Sequence, residues 1–134
     1  MSERGSAAVE ALLVAPVLLV LIALLVGGGQ ITSDQAAVRA VARESGRMAV
    51  TASTPSEAVE LGKARGGEVA AGYGLDASRL GVSINTGSFE RGSDVEVGVT
   101  YTVELSSLPA FGLLPGTAKL TANHTEPIDR YMSR

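Results

Sequence analysis

Residues 11–29 read ALLVAPVLLVLIALLVGGG, nineteen residues without a charge. As a helix this stretch is about 28 Å long at roughly 1.5 Å per residue, close to the hydrocarbon thickness of a bilayer, about 30 Å. It is apolar on every face, whereas a helix on a soluble core is apolar on one. Pro16 lies inside it, a position that membrane helices tolerate. The stretch therefore predicts a membrane-spanning helix at about 11–29, behind a short polar leader at residues 1–5.

The remainder of the chain has ordinary globular composition. Over all 134 residues, 46% are hydrophobic and 19% charged, and the apolar excess is concentrated between Ala7 and Val26. The net charge is −3 with no basic block, so no nucleic-acid footprint is present. With no Cys and a single His, His124, there is no thiolate nucleophile, no disulfide and no zinc-ligand set. No catalytic constellation, phosphate loop or Gly-x-Ser-x-Gly elbow occurs, so neither an enzyme nor a cofactor or metal is expected. Asn123-His124-Thr125 matches a glycosylation sequon but falls in an expected strand, and His124 is expected as a surface strand residue.

Beyond Gly29 the helical rhythm continues to residue 50. Ala37, Val38, Val41, Ala42, Ser45, Met48 and Ala49 share one stripe, and Arg39, Arg43 and Arg47 recur at i+4 on another, read as a solvated face. Gly27, Gly28 and Gly29 suggest a flexible joint, since each costs about 1 kcal/mol against Ala within a helix. Thr54-Pro55-Ser56-Glu57 predicts a capped restart, giving a second helix to about Tyr73, weakened at Gly66-Gly67 and ended by Gly74. Strands are expected at 80–86, 94–105 and 117–125. The second is the clearest, with Val95, Val97, Val99, Tyr101, Val103 and Leu105 alternating against polar residues. The apolar connection Leu108–Pro115 is expected to cover the sheet edge, ahead of packing on the long helix or touching lipid. The fold class is thus α+β: a long N-terminal membrane-spanning helix with an extension, a second helix, and a small antiparallel sheet of about three strands. The expected organisation is a leader at 1–5, an N-terminal helix at 6–50 with its amphipathic extension at 30–50, and an extracytoplasmic α/β domain at 55–134.

Glu10 stands at the mouth of the apolar run, where a charge is costly and points to function. The order Arg4-Gly5-Ser6-Ala7-Ala8-Val9-Glu10, an apolar run, and Pro16 six residues after the Glu resembles the processing region of TadE/TadG-like minor pseudopilins of tight-adherence (Flp) pilus systems. The resemblance covers residues 3–30; Ala11 stands where the family usually carries an aromatic residue, and the chain length fits the shorter, TadE-like form. It implies a pilin-like fold and cleavage between Gly5 and Ser6 by a prepilin peptidase. Glu10 would then be the fifth residue of the product, acting in assembly. It implies as partners the lipid bilayer, the peptidase, other pilins and pseudopilins, and inner-membrane assembly proteins. It places the N-terminus in the cytoplasm and the C-terminal domain outside, although the positive-inside count, with Arg4 offset by Glu3 and three arginines beyond the span, runs the other way. Two competing classes are a secreted binding protein with a cleaved signal peptide and a membrane-tethered enzyme. Glu3 and the sixteen apolar residues from Ala11 to Val26 argue against the first; the lack of a catalytic set argues against the second.

Overall fold

The computed structural model describes residues 3–131, apart from the side chain of Arg4. Met1 and Ser2 of the expected leader, and residues 132–134 of the expected domain, lie outside them. The element order is α1 (Glu3–Ala49), α2 (Pro55–Gly72), β1 (Leu80–Asn85), β2 (Asp94–Glu104) and β3 (Thr117–Pro127), with short 3₁₀ turns at Ala77–Arg79 and Leu105–Ser107. This is the expected α+β class, with two helices and a three-stranded antiparallel sheet in the order β1-β2-β3. Helix α1 starts at Glu3, within the segment read as a leader, and runs unbroken through Pro16 and all three glycines. The expected joint at Gly27–Gly29 is therefore not a break.

The described residues form two compact units: one up to Thr32 together with Glu104–Gly116, the other Ser33–Val103 together with the chain from Thr117. In the second unit most of the expected inward stripe of α1 is buried, namely Ala37, Val38, Val41, Ala42, Ser45 and Ala49, while Met48 is half-buried, Ala40 outside the stripe is buried too, and Arg39, Arg43 and Arg47 are exposed. Glu44 gathers Arg43, Arg47 and Arg65 at 3.6–3.8 Å on that wet face. Such exposed pairs are worth about 0–1 kcal/mol each.

Helix α2 begins where the capping signal places it. Thr54 Oγ1 accepts from the Glu57 N–H at 3.2 Å, and the Glu57 carboxylate accepts from the Ser53 N–H at 2.8 Å, one residue upstream of the usual reciprocal bond. It ends in a Schellman motif: Gly74, at φ 75°, donates to Ala71 and Leu75 donates to Ala70, each at 3.0 Å. Its inward positions are Ala58, Gly62, Gly66 and Ala70, all small. A Cβ on Gly62 would collide with Ile84, and one on Gly66 would stand 2.5 Å from Ser45 Oγ and 3.4 Å from Val41. The glycine read as a weak point at residue 66 is thus what brings α2 against α1.

The sheet closes this core. Leu80, Val82 and Ile84 of β1 face Tyr101, Val99 and Val97 of β2 in antiparallel register. Burial along β2 alternates strictly from Val95 to Val103, since β-strand side chains point to opposite faces in turn. On β3 the even-numbered residues Ala118 to Glu126 are half-buried and the odd ones exposed. The buried Tyr101 hydroxyl accepts from the Asp76 N–H at 3.2 Å. Phe89 and Ile128 are among the core members that escape the sequence pattern. Phe89 is buried in the β1–β2 turn at φ 52°. Ile128 is buried just after β3, its N–H donating to the Ser93 carbonyl at 2.8 Å.

Candidate functional site

The first unit carries the residues that the sequence singles out. Gly5 and Ser6 lie in the first turns of α1 and are exposed. A helix start leaves its first four N–H groups without intrahelical partners, so these turns open at little cost. Glu10 lies one turn beyond Ser6 on the same helix and is also exposed; it makes no hydrogen bond or ion pair with the described residues. Between Val9 and Val26 every Val, Leu and Ile stands largely uncovered, with exposures of 41–76%. The window has a mean hydropathy of 2.9 and no buried residue. A charged tip on a helix that is greasy all round is suited to lipid or to like helices, and the chain has one such helix among the described residues.

At its C-terminal side this apolar surface acquires a neighbour. The segment Leu105–Gly116 folds back on itself, with the Leu105 N–H donating to the Gly116 carbonyl at 3.1 Å. It packs on α1 at Gly27, where an added Cβ would stand 2.8 Å from the Pro109 carbonyl and 3.3 Å from the Phe111 ring. Gly28 and Gly29 face open space. Leu19, Val20 and Ala23 line a shallow apolar groove with Ala110, Gly112 and Leu113. Of the options expected for this connection, packing on the long helix is the one seen, because Gly27 opens a seat for its backbone.

The second unit offers weaker chemistry. His124 is half-buried on the inward face of β3 rather than on the surface, because Gly46 of α1 leaves room for its ring; a Cβ there would stand 3.1 Å from Cδ2. Its Nε2 is 2.7 Å from Glu126 Oε2. Ser83, nearby on the sheet, donates its hydroxyl to the Gly98 carbonyl at 3.2 Å and is engaged there. No group of acidic, His or Cys residues able to hold a metal occurs among the described residues.

A family model described as TadE-like protein matches residues 5–47, about a third of the chain. Neither the curated proteins nor the solved structures compared contain a match. Over that segment, from Gly5 through the apolar run to Arg47, the chain is similar to TadE-like proteins. Among the described residues one helix, α1, is long and apolar enough to cross a membrane, which suggests a single-pass anchor.

Proposed function

We propose that this chain, TadE-like over residues 5–47, is a minor pseudopilin-like structural and assembly component of a tight-adherence (Flp) pilus, processed by a prepilin peptidase between Gly5 and Ser6. The observation that carries the proposal is the pairing of an apolar α1 surface whose Val, Leu and Ile side chains from Val9 to Val26 all stay largely exposed with a single carboxylate, Glu10, at its mouth. A helix in lipid gains no hydrophobic energy against its lipid neighbours, so it can leave them for other helices at little cost. Cleavage would create an α-amino group on Ser6. The Glu10 carboxylate of an adjacent subunit could then neutralise it in the low-dielectric interior of a helix bundle. Gly5 suits the bond to be cut, since it has no Cβ to block a protease and a glycine favours unwinding by about 1 kcal/mol over Ala. In this reading residues 1–5 are removed, 6–50 form the anchor and its extension, and 55–134 form an extracytoplasmic domain. The N-terminus faces the cytoplasm, and the partners are the bilayer, the peptidase, other pilins and inner-membrane assembly proteins.

Mass spectrometry of the protein's N-terminus in cells making the peptidase tests this. A start at Ser6, abolished by Gly5→Val, is the expected result. A start at Met1 or Ser2 refutes processing. A start near Gln30 replaces the pilus component with a secreted protein whose apolar run is a signal peptide.

A further inference from the structure

We propose that residues 108–115 form a re-entrant apolar finger that inserts into the bilayer leaflet on the C-terminal side of the α1 anchor, and that its partner is phospholipid. The inference rests on the reading of α1 as a membrane anchor. The chain carries no charge from Leu105 to Ala118; Glu104 and Lys119 are the nearest charges on either side. Within that run Leu113 is 98% exposed and Leu114 49%, an arrangement that water disfavours. The finger is seated beside Leu19, Val20, Ala23 and Gly27 of α1, within the apolar run itself.

Depth follows from helix geometry. The uncharged run of α1 extends from Ala11 to Ser33, with its middle at Ile22. A hydrocarbon layer of about 30 Å centred there covers about ten residues in each direction. Leu19 to Gly27 fall well inside, and whatever lies against them falls inside too. Unpaired polar groups cost several kcal/mol each in such a medium, and part of the finger's backbone is satisfied internally: three of its six N–H groups are paired, leaving those of Ala110, Gly112 and Leu113 without an internal acceptor. The Leu108, Phe111 and Leu114 N–H groups donate to the carbonyls three residues before them at 3.1, 3.1 and 2.8 Å. Pro109 and Pro115 carry no N–H at all. Leu108 is buried and Phe111 is half-buried, so the large apolar side chains left exposed for lipid are Leu113 and Leu114, beside the smaller Pro109, Ala110 and Pro115. The exposed apolar surface is therefore continuous with the anchor's own lipid-facing surface.

The absence of Trp from the chain allows a direct test. The full-length protein, reconstituted in phosphatidylcholine vesicles, would carry one reporter at a time: Leu113→Trp at the finger, Leu18→Trp in the anchor and Tyr131→Trp as an exposed reference, Tyr131 being 94% exposed. Leu113 has almost no packing to lose, so its substitution leaves the fold intact. The expected result is that brominated acyl chains quench most of the Leu113→Trp emission, as they do for Leu18→Trp, while aqueous iodide quenches only Tyr131→Trp. Quenching of Leu113→Trp by iodide, with Leu18→Trp still quenched by brominated lipid, overturns the finger and leaves the anchor standing. Shielding of Leu113→Trp from iodide that disappears as lipid dilutes the protein overturns it in favour of a second protein chain. Failure of brominated lipid to quench Leu18→Trp overturns the anchor, and the finger with it.

Discussion

The Oγ of Ser45 lies 2.5 Å from where a Cβ on Gly66 would stand, so α1 and α2 touch backbone to side chain with no room for a methyl group. Gly66→Ala must push the helices apart and is expected to cost about 1–3 kcal/mol, the usual penalty for overpacking. Gly67 faces open space one residue on. Gly67→Ala should instead gain up to about 1 kcal/mol from helix propensity. Ser45 is fully buried and its hydroxyl has no partner among the described residues, so Ser45→Ala should be neutral or stabilising, by about 1 kcal/mol at most. Urea unfolding of the detergent-solubilised chain, followed by tyrosine fluorescence, gives all three. Equal effects at residues 66 and 67 would show that propensity, not packing, governs α2.

Gly27 and Gly28 differ in the same way in the other unit. A side chain at 27 meets the Pro109 carbonyl and the Phe111 ring, whereas one at 28 meets nothing within 4 Å. Gly27→Val is therefore expected to displace the segment folded on α1 and to speed amide exchange at Phe111 and Leu114. Gly28→Val should leave both rates unchanged. Equal rates in the two variants would mean that the segment is not held at Gly27.

Most of the fold is legible in the sequence because the elements carry local signals. The cap Thr54-Pro55-Ser56-Glu57, the cap at Gly74 and the alternation from Val95 to Val103 each fix an element without reference to distant residues. The glycines are read less well. Gly27, Gly62 and Gly66 look like helix breakers in one dimension, and only the approach of Pro109, Ile84 and Ser45 shows them to be contact points. Phe89 and Ile128 are invisible for the same reason, since neither belongs to a periodic stretch. Of the candidate site, Gly5, Ser6 and Glu10 are read from local order alone. The seat of residues 108–115 on α1 joins segments some 85 positions apart and has no local signal.

Two aspartates should respond to pH in opposite directions. Asp76 accepts from the Ser78 hydroxyl at 2.7 Å and the Ser78 N–H at 2.9 Å, and these bonds hold its carboxyl below the ordinary carboxylate value. Its contribution is present above the unfolded-state value, about 3.9, and is lost as pH falls through the lower folded-state one. Asp76→Ala should thus lower the melting temperature at neutral pH, and the gap should close on acidification. Burial raises the carboxyl of Asp34 instead. Its ionised form is disfavoured by folding, so Asp34→Asn should raise the melting temperature at neutral pH and change nothing at low pH. Melting temperatures of the two variants across pH 3–8 test both signs; parallel curves for wild type and either variant would rule out the assigned shift.

Glu10 provides the sharpest separation between processing and assembly. Its proposed partner, the α-amino group of Ser6, comes into existence only after cleavage, so the carboxylate has little to do before it. Glu10→Ala is therefore expected to be cut after Gly5, at least in part, and to remain in the membrane through the apolar run. Assembly is a different matter. Breaking a buried ion pair by removing one partner costs about 3–5 kcal/mol, because the remaining charge stays buried without compensation. About 3 kcal/mol already lowers incorporation by about a hundredfold. Glu10→Gln should fail as badly as Glu10→Ala, since an amide matches the shape and not the charge. Glu10→Asp keeps the charge on a shorter stem and should be milder. Quantifying the cleaved chain and its co-purification with pilus material separates the cases. Wild-type incorporation of Glu10→Ala would remove Glu10 from assembly, and complete failure of its cleavage would make Glu10 part of the peptidase's recognition instead.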